Sequence, residues 1–540
     1  MIGSTTEAVG QLFHRDEHRQ MADMADQQLL LRRPGLPSVQ VGTAALLASV
    51  AALLAFRLPF LIDPALWIDE AFSLYHAKHN LSLIWGVGWR LESSPPLYYT
   101  AIWAWTQLFG DAEPVARALS LLFTAVAALC VYSAGASLAG RRAGAVAAIL
   151  FLCNPLMFAY SMEIRPYALQ VLLIAAAVAA LARALADLEL GLVRSPANAV
   201  LRAAPVIAAA ALATYTHSTT PVFLLAMTGA AVVYGMMRRE GPPFWIACLL
   251  SALVALLAIA PQLHVMLEVL RTNERGIAWI PSPDLRWVFT VVRSLAVGEN
   301  SWNTLLIKLV GALTMGLLAW SGWRMRRSPV IFAVGLVLPA LGFVCLWAVS
   351  WLQPVLMPRT SLWVIAPLSV LAGCGLSSIP WQGSRFFLLI GAIVAPLIVM
   401  SAINVDNRTE NRPWPRFLTE FVRSAHATDE VVAVDKEIHC VLDYYPALEP
   451  QLKRWRLELG PGQSYRSHQR IPLGCNQAEE ISVAQLSSRL AQGIGLWLLA
   501  GDDLQRADVE AVLKTLGASV RITHQFKLHD KTLAWRLTGQ

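Results

Sequence analysis

Two adjacent carboxylates, Asp69 and Glu70, follow almost directly on the first long apolar segment, in the run Ala65-Leu66-Trp67-Ile68-Asp69-Glu70-Ala71-Phe72-Ser73. A charge at bilayer depth costs about 2.5–3.5 kcal/mol, so acids at the edge of an apolar segment are candidates for chemistry. Such a pair could supply a general base, ligate a metal, or simply be an interfacial acidic pair. Adjacent side chains point in different directions on a helix or a strand. At most one of the two therefore reaches a reacting atom. Asp69, nearer the apolar segment, is the choice, and Glu70 then orients it or binds donor or metal.

Four more positions carry unusual polarity. Glu163 and Arg165 flank a tight turn before Pro166 in Ser161-Met162-Glu163-Ile164-Arg165-Pro166-Tyr167. They make either a local ion pair capping the helix that starts at Pro166 or the second acidic point of a two-point site. His217 ends an apolar segment at Tyr215-Thr216-His217, where a lone histidine is more often a hydrogen-bonded structural residue. Arg359 lies in the charge-poor run Leu356-Met357-Pro358-Arg359. Its planar fork suits phosphate, and snorkelling to lipid headgroups is the alternative. Arg271, Arg275 and Arg286 surround Trp279-Ile280-Pro281-Ser282-Pro283, a composition for a loop lying on headgroups that either covers a site or anchors the chain.

The elements that must position these residues are membrane helices. Of 540 residues, 56% are hydrophobic and 15% charged, against about 25% charged in a soluble domain; mean hydropathy is +0.51. Apolar stretches near 40–62, 115–138, 144–160, 167–185, 203–219, 221–237, 244–261, 303–322, 330–350, 361–379 and 385–403 approach the roughly 20 residues needed to cross a bilayer. The stretch 95–109 is shorter, opens on two prolines, and suits a re-entrant or interfacial helix. With about 11 transmembrane helices, the short loops bearing Arg141, Arg142, Arg238, Arg239, Arg324, Arg326 and Arg327 fall on the cytoplasmic side, as the positive-inside rule requires. Asp69, Glu70, Glu163, His217, the 262–302 loop and Arg359 then share the opposite side.

The fold expected is an all-α polytopic membrane protein with a small C-terminal soluble α/β domain. Residues 1–37 form a cytoplasmic segment, 38–404 the transmembrane domain with outer loops 63–114 and 262–302, and 405–540 the periplasmic domain. In that last part apolar runs shorten to strand length, as in Val431-Val432-Ala433-Val434 and Leu496-Trp497-Leu498-Leu499. The segment 1–37 is polar and carries both charge signs, unlike a signal peptide. A net charge of +7, held in short loops, sets orientation and implies no nucleic-acid partner. No Cys-x-x-Cys pair occurs; Cys440 and Cys475 in the tail could pair if the tail is extracytoplasmic.

The ordered set Trp67-Ile68-Asp69-Glu70, Ser94-Pro95-Pro96-Leu97-Tyr98-Tyr99, Glu163-Ile164-Arg165-Pro166-Tyr167, Tyr215-Thr216-His217 and Trp279-Ile280-Pro281 resembles the C-type glycosyltransferases. It is most similar to the bacterial branch of the protein O-mannosyltransferase family, which includes lipid A aminoarabinose and core galacturonic acid transferases. The resemblance covers roughly residues 40–400. It implies a multi-pass inner-membrane enzyme that moves a sugar from a polyprenyl-phosphate-linked donor to an envelope glycolipid or polysaccharide, among membrane lipids. Asp69 takes the place of the catalytic acid, with Glu70 beside it and Glu163 as the second acid. Arg165 and Arg359 are the expected phosphate contacts. Tyr98, Tyr167, His217, Arg271, Arg275 and Trp279 are candidates for substrate contact. A divalent Mg or Mn ion, if one is used, would sit on Asp69, Glu70 and Glu163. This chain departs from many relatives at Ser94, where histidine is common, and at Thr360, where an aromatic often follows the arginine. A lipid-linked-sugar flippase or a non-catalytic membrane scaffold is the rival reading.

Overall fold

The computed structural model describes residues 50–539, apart from 63–65, 67, 90–94, 194, 272–279, 300–303, 382, 411–420, 422, 427, 434–452, 458–478, 501–502 and 529–530. Trp67, Ser94, Arg275, Trp279, Cys440 and Cys475 lie outside the described residues.

The chain is a multi-pass membrane protein. Among the described residues eight helices are long and apolar enough to cross a membrane: Glu113–Ala139, Tyr167–Glu189, Pro196–Thr214, Pro221–Arg238, Pro242–Glu268, Leu305–Met325, Pro329–Ser350 and Ser384–Val405. Shorter apolar pieces lie at the remaining stretches that the sequence offers as crossings. These are Val50–Leu61, Leu362–Ser377, and the pair Arg141–Cys153 and Pro155–Tyr160. The last pair breaks where Pro155 follows Asn154, whose side chain caps the second piece by accepting from the Leu156 and Met157 amides. The Pro-Pro stretch is a helix of 14 residues, Pro96–Phe109, at about 1.5 Å per residue too short to span.

In chain order the elements used below are α1 (Val50–Leu61), α2 (Ile68–Ala77), α3 (Pro96–Phe109), α4 (Glu113–Ala139), α5 (Arg141–Cys153), α6 (Pro155–Tyr160) and α7 (Tyr167–Glu189). They continue with α8 (Pro196–Thr214), α9 (Pro221–Arg238), α10 (Pro242–Arg271), α11 (Leu285–Val297), α12 (Leu305–Met325), α13 (Pro329–Ser350) and α14 (Leu362–Ser377). Small residues set the tightest packing. A Cβ on Gly135 of α4 would come 2.8 Å from the Gly144 Cα of α5, so the two backbones touch there as only glycine permits.

Contacts between turns confirm that the crossings alternate. At one end of the bundle Arg142 Nη2 donates to the Trp381 carbonyl at 2.7 Å and Arg324 Nε to Ser378 Oγ at 3.2 Å. At the other end the Leu97 amide donates to the Tyr215 carbonyl at 3.0 Å, Trp287 Nε1 to the Leu356 carbonyl at 2.7 Å and Trp347 Nε1 to the Pro283 carbonyl at 2.9 Å. The 262–302 region thus contributes the amphipathic helix α11, which leaves Leu285 and Phe289 exposed and pins the 351–361 loop.

The tail carries a six-stranded sheet. Its strands are β1 (Glu430–Ala433), β2 (Arg454–Leu457), β3 (Glu479–Ile481), β4 (Leu496–Leu499), β5 (Val520–Leu528) and β6 (Lys531–Gly539). Their order is β3-β2-β1-β4-β6-β5, with parallel pairing from β3 to β4 and an antiparallel β6. The unbroken apolar run Leu496–Leu499 serves both faces by its period of two. Leu496 and Leu498 pack with Leu486, Leu490, Val509 and Val512 of the two covering helices, Val483–Ala491 and Asp503–Leu516. Trp497 and Leu499 share a core with Leu66, Phe72, Leu74, Tyr98 and Tyr99, so the sheet rests on α2 and α3. Asp429 fastens it, accepting from Arg536 Nε at 2.7 Å, from Arg536 Nη2 at 2.9 Å and from Trp497 Nε1 at 3.1 Å.

Candidate functional site

The first turn of α2 aims its two acids apart, as adjacent helical positions must. Glu70 points into the protein. Its oxygens accept from Arg117 Nε at 3.2 Å and Nη2 at 3.1 Å, both side chains are 0% exposed, and the Ile164 amide donates to Glu70 Oε1 at 3.1 Å. One carboxylate therefore ties α2 to α4 and to the 161–166 turn. A paired, bidentate arrangement is what a fully buried charge requires.

Asp69 faces the other way and keeps 26% of its side chain exposed. The same oxygen, Oδ2, lies 3.6 Å from Arg165 Nη2 and 3.6 Å from Arg359 Nη1, while Arg165 Nη1 donates to the Asp69 carbonyl at 3.2 Å. Three segments far apart in sequence meet at this point. At 3.6 Å these are ion pairs longer than an N–H···O hydrogen bond. Burial acts to lower both arginines, but Asp69 and the nearby phenols outweigh it and hold their pKa values above the ordinary range.

Aromatic and polar groups surround that point. Tyr167, the first residue of α7, lies under Arg165 with its ring centre 6.0 Å from the guanidinium carbon. It meets His217 at 5.4 Å and Tyr160 at 5.2 Å between ring centres. The Tyr160 hydroxyl donates to Glu299 at 3.2 Å. His217 lies in the turn between α8 and α9; burial first, then Arg165 and Arg359, push its pKa down to about 3. Tyr98 of α3 is fully buried, and burial raises its phenol well above the usual value, with Arg165, Glu70 and Glu163 in electrostatic reach. His76 of α2 stacks on Tyr99 at 4.6 Å; burial takes its pKa down to about 4 despite the Phe72 carbonyl it bonds.

The structure thus brings Asp69, Arg165, Arg359, Tyr167 and His217 together, with Glu70, Glu163 and Tyr98 behind them in the wall. Glu163 is 4% exposed, and its carbonyl accepts from Ser120 Oγ of α4. Arg271 stands exposed at the end of α10 and makes no ion pair with the cluster among the described residues. Asp69, Glu70 and Glu163 do not converge as metal ligands. Glu70 is taken up by Arg117 and the Ile164 amide, Asp69 faces two cations, and no group of three His, Cys, Asp or Glu side chains among the described residues is arranged to hold an ion.

Three participants escape a reading of the sequence by apolar runs. Arg117 lies inside the run assigned to a crossing, and Tyr160 ends another. Glu299 is one of four acids in the long 262–302 loop. The signal for Arg117 was a charge three residues inside an apolar segment, one helical turn after Glu113, with which it makes a 3.5 Å ion pair.

An apolar trough of about 890 Å³ runs between α7, α8, α9 and α10, lined by none of the cluster residues. Chain direction fixes its ends. Arg202 and Glu240 line it at the bundle end of the Arg142 turn, and Pro221 and Leu263 at the end of His217. Gln262, next to Leu263, accepts from Trp89 Nε1 at 2.6 Å.

Residues 93–264 match the family described as dolichyl-phosphate-mannose-protein mannosyltransferase. No curated protein matches the chain in sequence. Among solved structures it is similar to ArnT from Cupriavidus metallidurans bound to undecaprenyl phosphate, with 13% identity over 92% of this chain and 97% of that one and a TM-score of 0.57. It is equally similar to the apo state of the same protein, with 12% identity over 93% and 98% and a TM-score of 0.57. At that identity the likeness establishes the fold, that of the C-type glycosyltransferases.

Proposed function

We propose that the chain is a membrane glycosyltransferase. It takes a sugar from a polyprenyl-phosphate donor and passes it to an envelope glycolipid or polysaccharide on the periplasmic side of a bacterial inner membrane. The observation that carries this reading is the meeting of Asp69 with Arg165 and Arg359 at one partly open point.

The chemistry follows from those groups. A sugar on a lipid phosphate already has a good leaving group, so a strong general acid is not required. Asp69 accepts the proton of the acceptor hydroxyl. The acceptor oxygen forms its bond to the anomeric carbon while the bond from that carbon to the phosphate oxygen breaks, and the phosphate leaves with the electron pair. Arg165 and Arg359 stabilise the charge gathering on it. One base and one displacement invert the anomeric carbon. The trough takes the prenyl chain, and burial there holds the phosphate at the arginines. Glu70, Arg117 and Glu163 fix the segments that carry the reacting groups.

The test is transfer by the purified full chain with a polyprenyl-phosphate sugar. It is paired with a mass-spectrometric comparison of envelope glycolipids with and without the gene. Loss of one sugar from one glycolipid names donor and acceptor together; an unchanged envelope would remove the transferase reading.

A further inference from the structure

His217 is commonly a candidate for acid–base work when it lies in such a cluster, but its hydrogen bonds exclude that role here. The Thr219 amide is 3.2 Å from His217 Nδ1, and a backbone amide can only donate, so Nδ1 presents its lone pair. The Thr219 hydroxyl lies 2.9 Å from the same nitrogen and takes a donor of its own from Gln170 Nε2 at 3.5 Å, which leaves its hydrogen for Nδ1. The ring proton must therefore sit on Nε2. That edge is turned away from Thr219, on a ring that is only 8% exposed, and it meets no acceptor among the described residues.

A neutral ring held in this tautomer has no free lone pair to act as a base, and releasing its one proton would make an imidazolate. Protonation is opposed as well: burial, with Arg165 and Arg359 close by, puts the imidazolium out of reach above about pH 3. What remains is one directed N–H beside two guanidinium groups and the Tyr167 ring. It can bond an anion there without adding a third positive charge.

We infer that His217 is a permanently neutral hydrogen-bond donor, through Nε2–H, to the phosphate of the lipid-linked donor between Arg165 and Arg359. This rests on the transferase reading above. It also leaves Asp69 without a histidine competitor as base.

The discriminating variants are His217→Asn and His217→Gln. Asparagine places its oxygen near the Nδ1 position and keeps the Thr219 anchor, but it has nothing at the Nε2 position; glutamine reaches that position with its amide. Binding of decaprenyl phosphate and of decaprenol to the purified full chain is measured for each. A hydrogen bond to a charged group implies about 10- to 100-fold weaker phosphate binding in His217→Asn, with decaprenol binding unchanged. In His217→Gln most of the phosphate affinity returns. If His217→Asn binds the phosphate as the natural protein does, the donor role is overturned and the transferase reading stands. If the natural protein itself fails to prefer the phosphate over the alcohol, the transferase reading fails and takes this inference with it. Nitrogen NMR of labelled histidines in the natural protein gives an independent check, since it needs no variant to fold. The Nε2–H form should persist from about pH 8 to 5.5, and an imidazolium or an Nδ1–H form would overturn the inference.

Discussion

At Glu70 a carboxylate is gripped by a guanidinium and a backbone amide at 3.1–3.2 Å with no exposed surface; one residue earlier, Asp69 keeps a quarter of its side chain exposed and faces two guanidinium groups at 3.6 Å. Both are acids paired with arginine, on the same helical turn. The difference is spare capacity. At Glu70 every near donor is committed and the geometry is bidentate, so the pair can only hold segments together. At Asp69 the two contacts are long and the carboxylate is partly exposed, so a substrate atom can reach it without first breaking a tight bond there. An arginine–carboxylate pair is thus read as scaffold or site by its distances and exposure, not by its residue types.

Substitutions separate the two. Asp69→Asn removes the proton acceptor and keeps the volume. Transfer should fall by about 10²- to 10⁴-fold, the usual contribution of a positioned base, with yield and thermal midpoint unchanged. Retained turnover in the purified assay would take Asp69 out of the mechanism. Glu70→Ala should do the reverse and destabilise that end of the bundle by leaving the buried Arg117 with only the longer Glu113 contact, at a cost of up to about 3–5 kcal/mol. Thermal melts and detergent-resistant yield check it. The paired replacement Glu70→Leu with Arg117→Met should recover most of that loss, because an apolar pair of similar volume avoids the desolvation penalty. If the single change is as mild as the double, the clamp contributes nothing. Arg359→Ala should weaken donor use about 10- to 100-fold in kcat/KM, and Arg359→Lys should restore only part, since the planar fork is lost. Equal activity in all three would move the phosphate elsewhere.

The sequence made one half of this comparison legible. Acids and arginines beside apolar runs, sorted by loop charge, brought Asp69, Arg165 and Arg359 to one side before any coordinates, because alternation of crossings is a topological consequence of run length. The partners of Glu70 were not legible. Arg117 lies within an apolar run, where window hydropathy averages a single charge away, and the donor at Ile164 is a backbone amide that no residue type announces. The tail shows the same division. Strand-length runs at 431–434 and 496–499 located β1 and β4, but the single core that joins Trp497 and Leu499 with Phe72 and Tyr98 depends on tertiary packing with no local signature. The eight long helices were plain for the opposite reason, since 20 apolar residues leave few alternatives.

The smallest effect expected is on stability against pH, and it too divides the molecule. His76 and His217 are neutral and buried, with pKa values near 4 and near 3, while an unfolded histidine titrates near 6.5. Above about pH 6.5 neither state binds the proton and the full stability is present. As pH falls below 6.5 the unfolded chain takes up two protons that the folded chain refuses, so stability declines, by about 1.4 kcal/mol per histidine between pH 7.5 and 5.5. The decline continues until the folded state itself protonates near pH 4 and below. Melts of the natural protein should drift downward over that window, and a His76→Gln, His217→Gln double variant should drift less. A natural protein whose midpoint is flat from pH 7.5 to 5.5 would mean that water reaches both rings, and the dry wall around Tyr98, Tyr99 and His217 would have to be given up.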